Sequence, residues 1–187
     1  MSTSVARSQV QDGLSLWFTG LPGAGKSTVA SLVRASLDAR GVRTELLDGD
    51  IVRTNLCREL GYSKEDRETN IRRIAFVADL LSRNGVVAIT AAISPYRSMR
   101  DEARVLMGDR FVEIHVNAPL EECIRRDPKG MYAKAQRGEI AEFTGISQPY
   151  ESPLRPEIVL DTGLESPAQS AGKVIAFVEQ RLRPAGT

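Results

Sequence analysis

The sequence predicts an α/β protein: a five-stranded parallel sheet with helices on both faces and a lid segment. Three observations predict it. Short apolar runs alternate with longer helical patterns along most of the chain, which is how βαβ units read. A glycine-rich turn separates the first apolar run from the first helical pattern, as a phosphate-cradling loop does. The length of 187 residues suits one domain, and a chain of that size buries about 70% of its unfolded surface.

Residues 1–13 read as a polar, flexible leader and 14–187 as the single domain. Leu14 to Phe18 is a short apolar run and reads as a buried strand. The next pattern is helical, with Val29, Leu32 and Val33 on one face, and stops near Gly41. Thr44 to Leu47 is a second strand, which runs into Asp48-Gly49-Asp50 and another helix. A long helix covers Lys64 to Arg83, with Ile71, Ile74, Ala75, Ala78 and Leu81 on one stripe, and Asn84-Gly85 closes it as a C-cap. Val86 to Ile89 is the third strand. The helix after Pro95 carries Met99, Ala103 and Leu106, and Phe111 to Val116 is the fourth strand. Another helix follows Pro119. The stretch 127–156 is rich in Gly, Pro, Lys and Arg, with weak periodicity. Connections of that length are usually lids or binding loops. Ile158 to Leu160 is the fifth strand, and a last helix places Ala171, Val174, Ile175, Val178 and Leu182 on one face.

Composition excludes several chemistries. Twenty-five basic residues face 24 acidic ones, so the net charge is +1, and no global field draws the chain to nucleic acid or an anionic membrane. One histidine, His115, and two cysteines, Cys57 and Cys123, exclude a zinc finger and a disulfide scaffold. His115 lies in a strand pattern and reads as structural. Both cysteines lack Cys-x-x-Cys spacing and read as buried apolar thiols. No apolar run reaches membrane-spanning length, and the N-terminal residues lack a signal-peptide core. A cytoplasmic domain with neither nucleic-acid nor membrane partners is the expectation.

In such sheets the site lies at the carboxyl ends of the strands, and the notable residues follow strand ends. Gly20-Leu21-Pro22-Gly23-Ala24-Gly25-Lys26-Ser27 fits the Walker A pattern at every fixed position, with Thr28 next. This points to a P-loop NTPase fold that binds ATP through residues 20–28. Glycines let backbone N–H groups turn inward onto phosphate oxygens, and the helix starting near Lys26 adds its positive dipole end. Lys26 reaches the β- and γ-phosphates, and the Ser27 hydroxyl joins a Mg²⁺ shell. The third strand ends without an acid, so the acidic chemistry falls to Asp48-Gly49-Asp50. Asp50 is the candidate for Mg²⁺ contact through water and for accepting the proton of an attacking hydroxyl. Asp48 holds the turn or the surroundings of the metal. The structural alternative for both Asp48 and Asp50 is a turn with a helix-capping aspartate, since Asp50 opens a helix. A hydroxyl acceptor makes a small-molecule kinase the leading class. A GTPase is disfavoured because no Asn-Lys-x-Asp run occurs.

A series of further motifs resembles the adenylylsulfate kinase (APS kinase) family. They are Asp48-Gly49-Asp50-Ile51-Val52-Arg53, Leu60-Gly61-Tyr62-Ser63, Asp66-Arg67 with Asn70-Ile71-Arg72-Arg73, and Ile93-Ser94-Pro95-Tyr96-Arg97. Arg126-Asp127-Pro128-Lys129-Gly130-Met131-Tyr132, Phe143-Thr144-Gly145-Ile146 and Pro149-Tyr150-Glu151-Ser152-Pro153 follow in order, so the resemblance spans about residues 14 to 182. It implies transfer of the γ-phosphoryl group of MgATP to the 3′-hydroxyl of adenosine 5′-phosphosulfate (APS). The products are 3′-phosphoadenosine 5′-phosphosulfate (PAPS) and ADP, in the second step of sulfate activation.

The resemblance also implies residue roles. Arg53, Arg67 and Asn70 match APS-binding positions, and paired guanidinium donors suit a phosphosulfate. Asp48, Ile93 and Ser94 line the same substrate. Tyr62 and Phe143 match two aromatics that sandwich the adenine. Lys129 matches a lid lysine near the phosphates, in a window, 125–137, with five basic residues against one acid. Ser94 matches a serine assigned as a phosphoserine intermediate, which places it with Lys26 and Asp50 as catalytic. Direct in-line transfer needs only positioning and charge stabilisation, which leaves Ser94 a substrate contact. Pro22, Ile51, Asn55, Thr69 and Ala92 depart from the family's more usual residues, and of these only Thr69 replaces a charged side chain. A homodimer is the implied assembly, with ATP sulfurylase a partner where the two activities are joined. Another small-molecule kinase, or a non-catalytic APS- or PAPS-binding regulatory domain, is the alternative.

Overall fold

A computed structural model of the chain describes residues 13–182. Residues 1–12 of the expected leader lie outside the described residues. Gly13 is buried, and a Cβ there would meet Ser82 O at 1.9 Å.

The chain runs β1 (Leu14–Thr19), α1 (Lys26–Asp38), β2 (Thr44–Asp48), α2 (Gly49–Leu56), α3 (Lys64–Ser82) and β3 (Val87–Ala91). It continues with α4 (Arg97–Met107), β4 (Phe111–Asn117), α5 (Leu120–Arg126), α6 (Met131–Gln136), β5 (Ile158–Asp161) and α7 (Pro167–Leu182). The five strands form one parallel sheet in the order β2-β3-β1-β4-β5. Such a sheet must be covered on both faces, because its crossovers lie on both sides.

Alternation along β1 shows how the two faces are filled. Leu14, Leu16 and Phe18 pack with Val29, Val33 and Leu37 of α1 and Val174 and Val178 of α7. Trp17 faces the other way and packs with Ile71, Ile74 and Ala78 of α3 and Met99 and Ala103 of α4. Two expected core positions are exposed. Leu32 is 42% exposed and Leu106 48% exposed. In α4 the buried stripe is Met99, Ala103 and Met107 at steps of four, so Leu106 falls one position off the seam. In α1, Leu37 takes the seam position below Val33 and turns Leu32 outward.

The stretch 127–156, expected as a lid, holds a helix that its periodicity did not announce. The carboxylate of Asp127 accepts the backbone N–H groups of Tyr132 and Ala133, each at 3.0 Å, and so caps α6 from outside its first turn. The return end of this segment is fixed to the turn between β3 and α4: Glu151 N donates to Pro95 O at 2.8 Å, and Arg97 N donates to the Glu151 carboxylate at 2.8 Å. Among the described residues no helix is long and apolar enough to cross a membrane.

Candidate active site

One cleft of about 930 Å³ crosses the carboxyl ends of the strands. The strand order divides it. The loop after central β1 lies in the middle, residues after β2 and β3 line one side, and residues after β4 and β5 line the other.

The middle is built from residues 20–28. Gly20 has φ 155°, and a Cβ there would lie 2.4 Å from Val116 O, so only glycine lets the chain leave β1 past the end of β4. The loop curls through a turn, Ala24 N to Leu21 O at 3.2 Å, into α1. The N-cap of α1 is Gly25, with no side-chain cap and no acidic residue in the first turn. Its free N–H groups and dipole therefore remain available to an anion. Lys26 is buried and donates to Gly20 O at 2.9 Å and Leu21 O at 2.8 Å. Burial lowers its pKa to about 8.

Ser27 Oγ donates to Asp48 Oδ2 at 2.7 Å, and Asp48 Oδ1 accepts Asp50 N at 3.0 Å. The aspartate that caps α2 is thus Asp48, one of the two for which the sequence left a capping role open. Asp50 lies in the first turn of α2, exposed, and pairs with Lys129 of the lid. No group of three His, Cys, Asp or Glu side chains stands ready to hold a metal among the described residues. The hydroxyl of Ser27 with the two carboxylates is a hard oxygen set of the partial kind Mg²⁺ uses beside phosphates and water.

The β2–β3 side gathers Arg53, Tyr62, Arg67, Asn70, Ile93, Ser94 and Phe143, all expected as substrate residues. Arg53 Nη1 donates to Leu60 O and Gly61 O, both at 2.9 Å, and its guanidinium sits 4.4 Å over the Tyr62 ring. Arg67, 8% exposed, donates through Nε to Tyr62 O at 2.7 Å, through Nη1 to Thr144 Oγ1 at 2.8 Å and through Nη2 to Glu142 O at 2.6 Å. These bonds use three of its five N–H groups and leave two for a ligand. Asn70 Oδ1 is buried with no hydrogen-bond partner, and an orphaned buried acceptor on a cleft wall is suited to a ligand donor. Tyr62 is 54% exposed and Phe143 8% exposed. Phe143 is braced edge-on by Tyr132, centroids 5.0 Å apart.

Ser94 is held in an unusual way. Its φ is 45°, and its hydroxyl, in a residue 1% exposed, accepts the indole N–H of Trp17 at 3.1 Å. Arg100, 2% exposed, donates to Ser94 O at 2.5 Å, Glu151 O at 2.6 Å and Glu113 Oε1 at 2.7 Å. The Ser94 turn, the lid's return end and β4 therefore meet on one guanidinium. His115 lies half-buried on β4, stacked against Tyr150 with centroids 6.1 Å apart. Burial, with Arg100 nearby, lowers its pKa. Cys57 and Cys123 are both buried and free, and burial raises the Cys123 pKa.

The β4–β5 side was not singled out in the sequence. Arg126 Nη2 donates to Thr162 O at 2.5 Å, and Thr162 Oγ1 donates to Ala24 O of the phosphate loop at 2.7 Å. Glu165 and Pro167 complete this wall. Thr162 directly follows β5, so the rule that sites follow strand ends was the signal available for it. Tyr132 was the other omission: its hydroxyl donates to Pro22 O at 3.0 Å, and burial raises its pKa, so it stays a donor.

An uncapped helix end with a buried lysine, an acid pair facing Ser27 and a lid lysine reaching across to one of those acids make this a phosphate-loop kinase in class. The family model described as adenylylsulphate kinase matches residues 12–161. An adenylyl-sulfate kinase of Picosynechococcus is 58% identical over 163 residues, covering 87% of this chain and 92% of its own length. A probable bifunctional SAT/APS kinase of Sorangium cellulosum is 54% identical over 90% of this chain, which spans 29% of that protein. The structure of the Mycobacterium tuberculosis APS kinase in complex with AMPPNP and APS superposes with a TM-score of 0.87 at 44% identity, covering 90% of this chain and 99% of that one. The chain belongs to the adenylylsulfate kinase family.

Proposed function

We infer that this chain transfers the γ-phosphoryl group of ATP to the 3′-hydroxyl of APS, releasing PAPS and ADP. The observation that carries the reading is one cleft that joins the uncapped N-terminus of α1 and Lys26 to a pocket with two aromatics, two arginines and the unpartnered Asn70 Oδ1. The phosphate loop takes the triphosphate. The lining supports APS on the β2–β3 side, where the aromatics stand, and the adenine of ATP on the β4–β5 side, beside Arg126 and Thr162.

Each residue has a physical task. Lys26 turns from the Gly20 and Leu21 carbonyls to the β- and γ-phosphates and steadies the charge that spreads over the transferring group. Asp50 accepts the proton of the 3′-hydroxyl as the bond to phosphorus forms. Lys129 leaves Asp50 for the phosphates when the lid closes, which frees the carboxylate for that task. Ser27 with Asp48 and Asp50 would hold Mg²⁺, which when bound neutralises phosphate charge and orients the oxygens. The free N–H groups of Arg53 and Arg67 face the phosphosulfate, Asn70 takes a donor of the nucleoside, and Tyr62 and Phe143 stack on the adenine. Ser94 acts through its turn and backbone; its hydroxyl accepts the Trp17 N–H and is buried. A closed lid keeps water from competing as acceptor.

A homodimer is the assembly we place on this chain. Phe76 and Leu80, 59% and 41% exposed one turn apart on α3, are the apolar surface that supports it. Two free, buried thiols support a reducing, cytoplasmic setting. The Sorangium relative supports ATP sulfurylase as a partner.

The test is a panel of acceptors incubated with MgATP. ADP release with APS, and not with AMP, gluconate or shikimate, is the expected result. ADP release with another acceptor and none with APS would overturn the reading.

A further inference from the structure

We propose that Tyr132 is a positioning residue that ties the phosphate loop to Phe143, so that filling the donor site fixes the aromatic wall of the acceptor site. The proposal rests on the kinase reading and deepens it.

Tyr132 stands between the two sites and is 1% exposed. Its hydroxyl donates to Pro22 O of the phosphate loop at 3.0 Å. Its ring meets Phe143 edge-on, with centroids 5.0 Å apart and an interplanar angle of 82°. A second contact runs beside the first. Gly145, two residues beyond Phe143, has φ 93°, and a Cβ there would come within 3.1 Å of Leu21 Cδ2 and 3.6 Å of the Tyr132 hydroxyl. The lid segment that carries Phe143 therefore rests on loop residue Leu21 and on Tyr132 together. Arg67 extends the tie to the opposite aromatic, bonding Glu142 O and Thr144 Oγ1 on either side of Phe143 and Tyr62 O across the pocket. The packed contacts are continuous from Pro22 to Tyr62.

The loop end of this chain of contacts can be biased by a ligand. Lys26 Nζ donates to Gly20 O and Leu21 O, and phosphate oxygens compete for the same protons. Once Lys26 turns to phosphate, the Leu21 carbonyl is released one residue from the Pro22 carbonyl that Tyr132 holds. A loop wrapped on phosphate through its N–H groups is stiffer, and Tyr132 then holds Phe143 in place. APS meets a wall already ordered, which favours its binding. The coupling is reciprocal, so APS must tighten nucleotide binding by the same factor.

Tyr132→Phe isolates the link, because it keeps the ring on Phe143 and removes only the hydroxyl, with its bond to Pro22 O and its contact with the buried Cys123 thiol. APS is titrated calorimetrically into each protein, with and without saturating Mg²⁺ and the β,γ-imido analogue of ATP. For the unaltered chain the analogue should raise APS affinity by about fivefold or more. For Tyr132→Phe, affinity for APS alone should stay within about twofold of the unaltered chain, and the rise with nucleotide should fall below about twofold. Phe143→Leu cuts the same tie at its other end and should lose the rise as well. A merely structural Tyr132 would lower APS affinity equally in both titrations, and that result overturns the proposal. So does a full rise retained in Tyr132→Phe, or no rise in the unaltered chain. An unaltered chain that binds no APS in either titration defeats the kinase reading itself.

Discussion

In the proposed reaction Lys26 meets the transferring phosphoryl group from a buried position, and burial brings its pKa to about 8. The sign of the pH effect follows. Below pH 8 the ammonium is present; above it Lys26 loses its proton, while the unfolded chain holds one up to about 10.5. This group therefore adds to stability as pH rises through that window. Bound phosphates restore the proton, so nucleotide binding near pH 8.5 should take up a fraction of one. Calorimetry in two buffers of different ionisation enthalpy reads that uptake. Lys26→Arg, charged throughout, should show none, and equal uptake in both proteins would contradict the assignment. Phe143 gives a second test at this scale. Phe143→Ala should weaken APS binding by about 1–3 kcal/mol if the ring stacks on a base, and an unchanged dissociation constant would return it to packing. Ser94→Ala should retain most turnover, measured as steady-state kcat, because the hydroxyl already accepts the Trp17 N–H.

Among the elements, the lid and its anchor divide the work. The segment from Asp127 to Phe143 carries Lys129 and one aromatic wall, and its helix α6 depends on the Asp127 cap. Asp127→Ala should destabilise by about 1 kcal/mol, the usual worth of a helix cap, and lower kcat under conditions where the variant remains folded. The anchor is the Arg100 guanidinium, which holds the Ser94 turn, Glu151 and Glu113 together. Arg100→Met leaves Glu113 buried with only Arg104 beside it. Urea unfolding should show a loss of about 3–5 kcal/mol. The lid is also where sequence was least informative. Its helix of six residues, Met131–Gln136, is too short to establish a period. The capping carboxylate stands four positions before the helix, where no local pattern marks it. The long helices and the strands were legible because each has one buried face; where Leu37 and Met107 took the seam, Leu32 and Leu106 were left outside.

At the scale of the molecule, strand order does what no local motif could. Placing β1 between β3 and β4 puts the glycine-rich loop between residues proposed for the acceptor, on the β2–β3 side, and residues proposed for the donor base, on the β4–β5 side. The acceptor half of the site was legible because its residues sit in contiguous runs that resemble the family's motifs. The donor-base wall was not, since Arg126 and Thr162 are 36 positions apart and meet only in the fold. Balanced charge has a similar explanation. A net charge of +1 conceals Lys26, Arg53, Arg67, Arg126 and Lys129 around one cleft, where two polyanions must approach each other. Occupancy should stabilise the whole domain: a nucleotide at a hundred times its dissociation constant adds about 2.7 kcal/mol, visible as a rise in melting temperature that Lys26→Ala diminishes. The most direct test of the account follows the phosphorus itself. With γ-labelled ATP, Mg²⁺ and APS in a single turnover, label should appear in the 3′-phosphate of PAPS at the rate ADP forms. Label found only in inorganic phosphate, or none in the adenylyl acceptor, would contradict it.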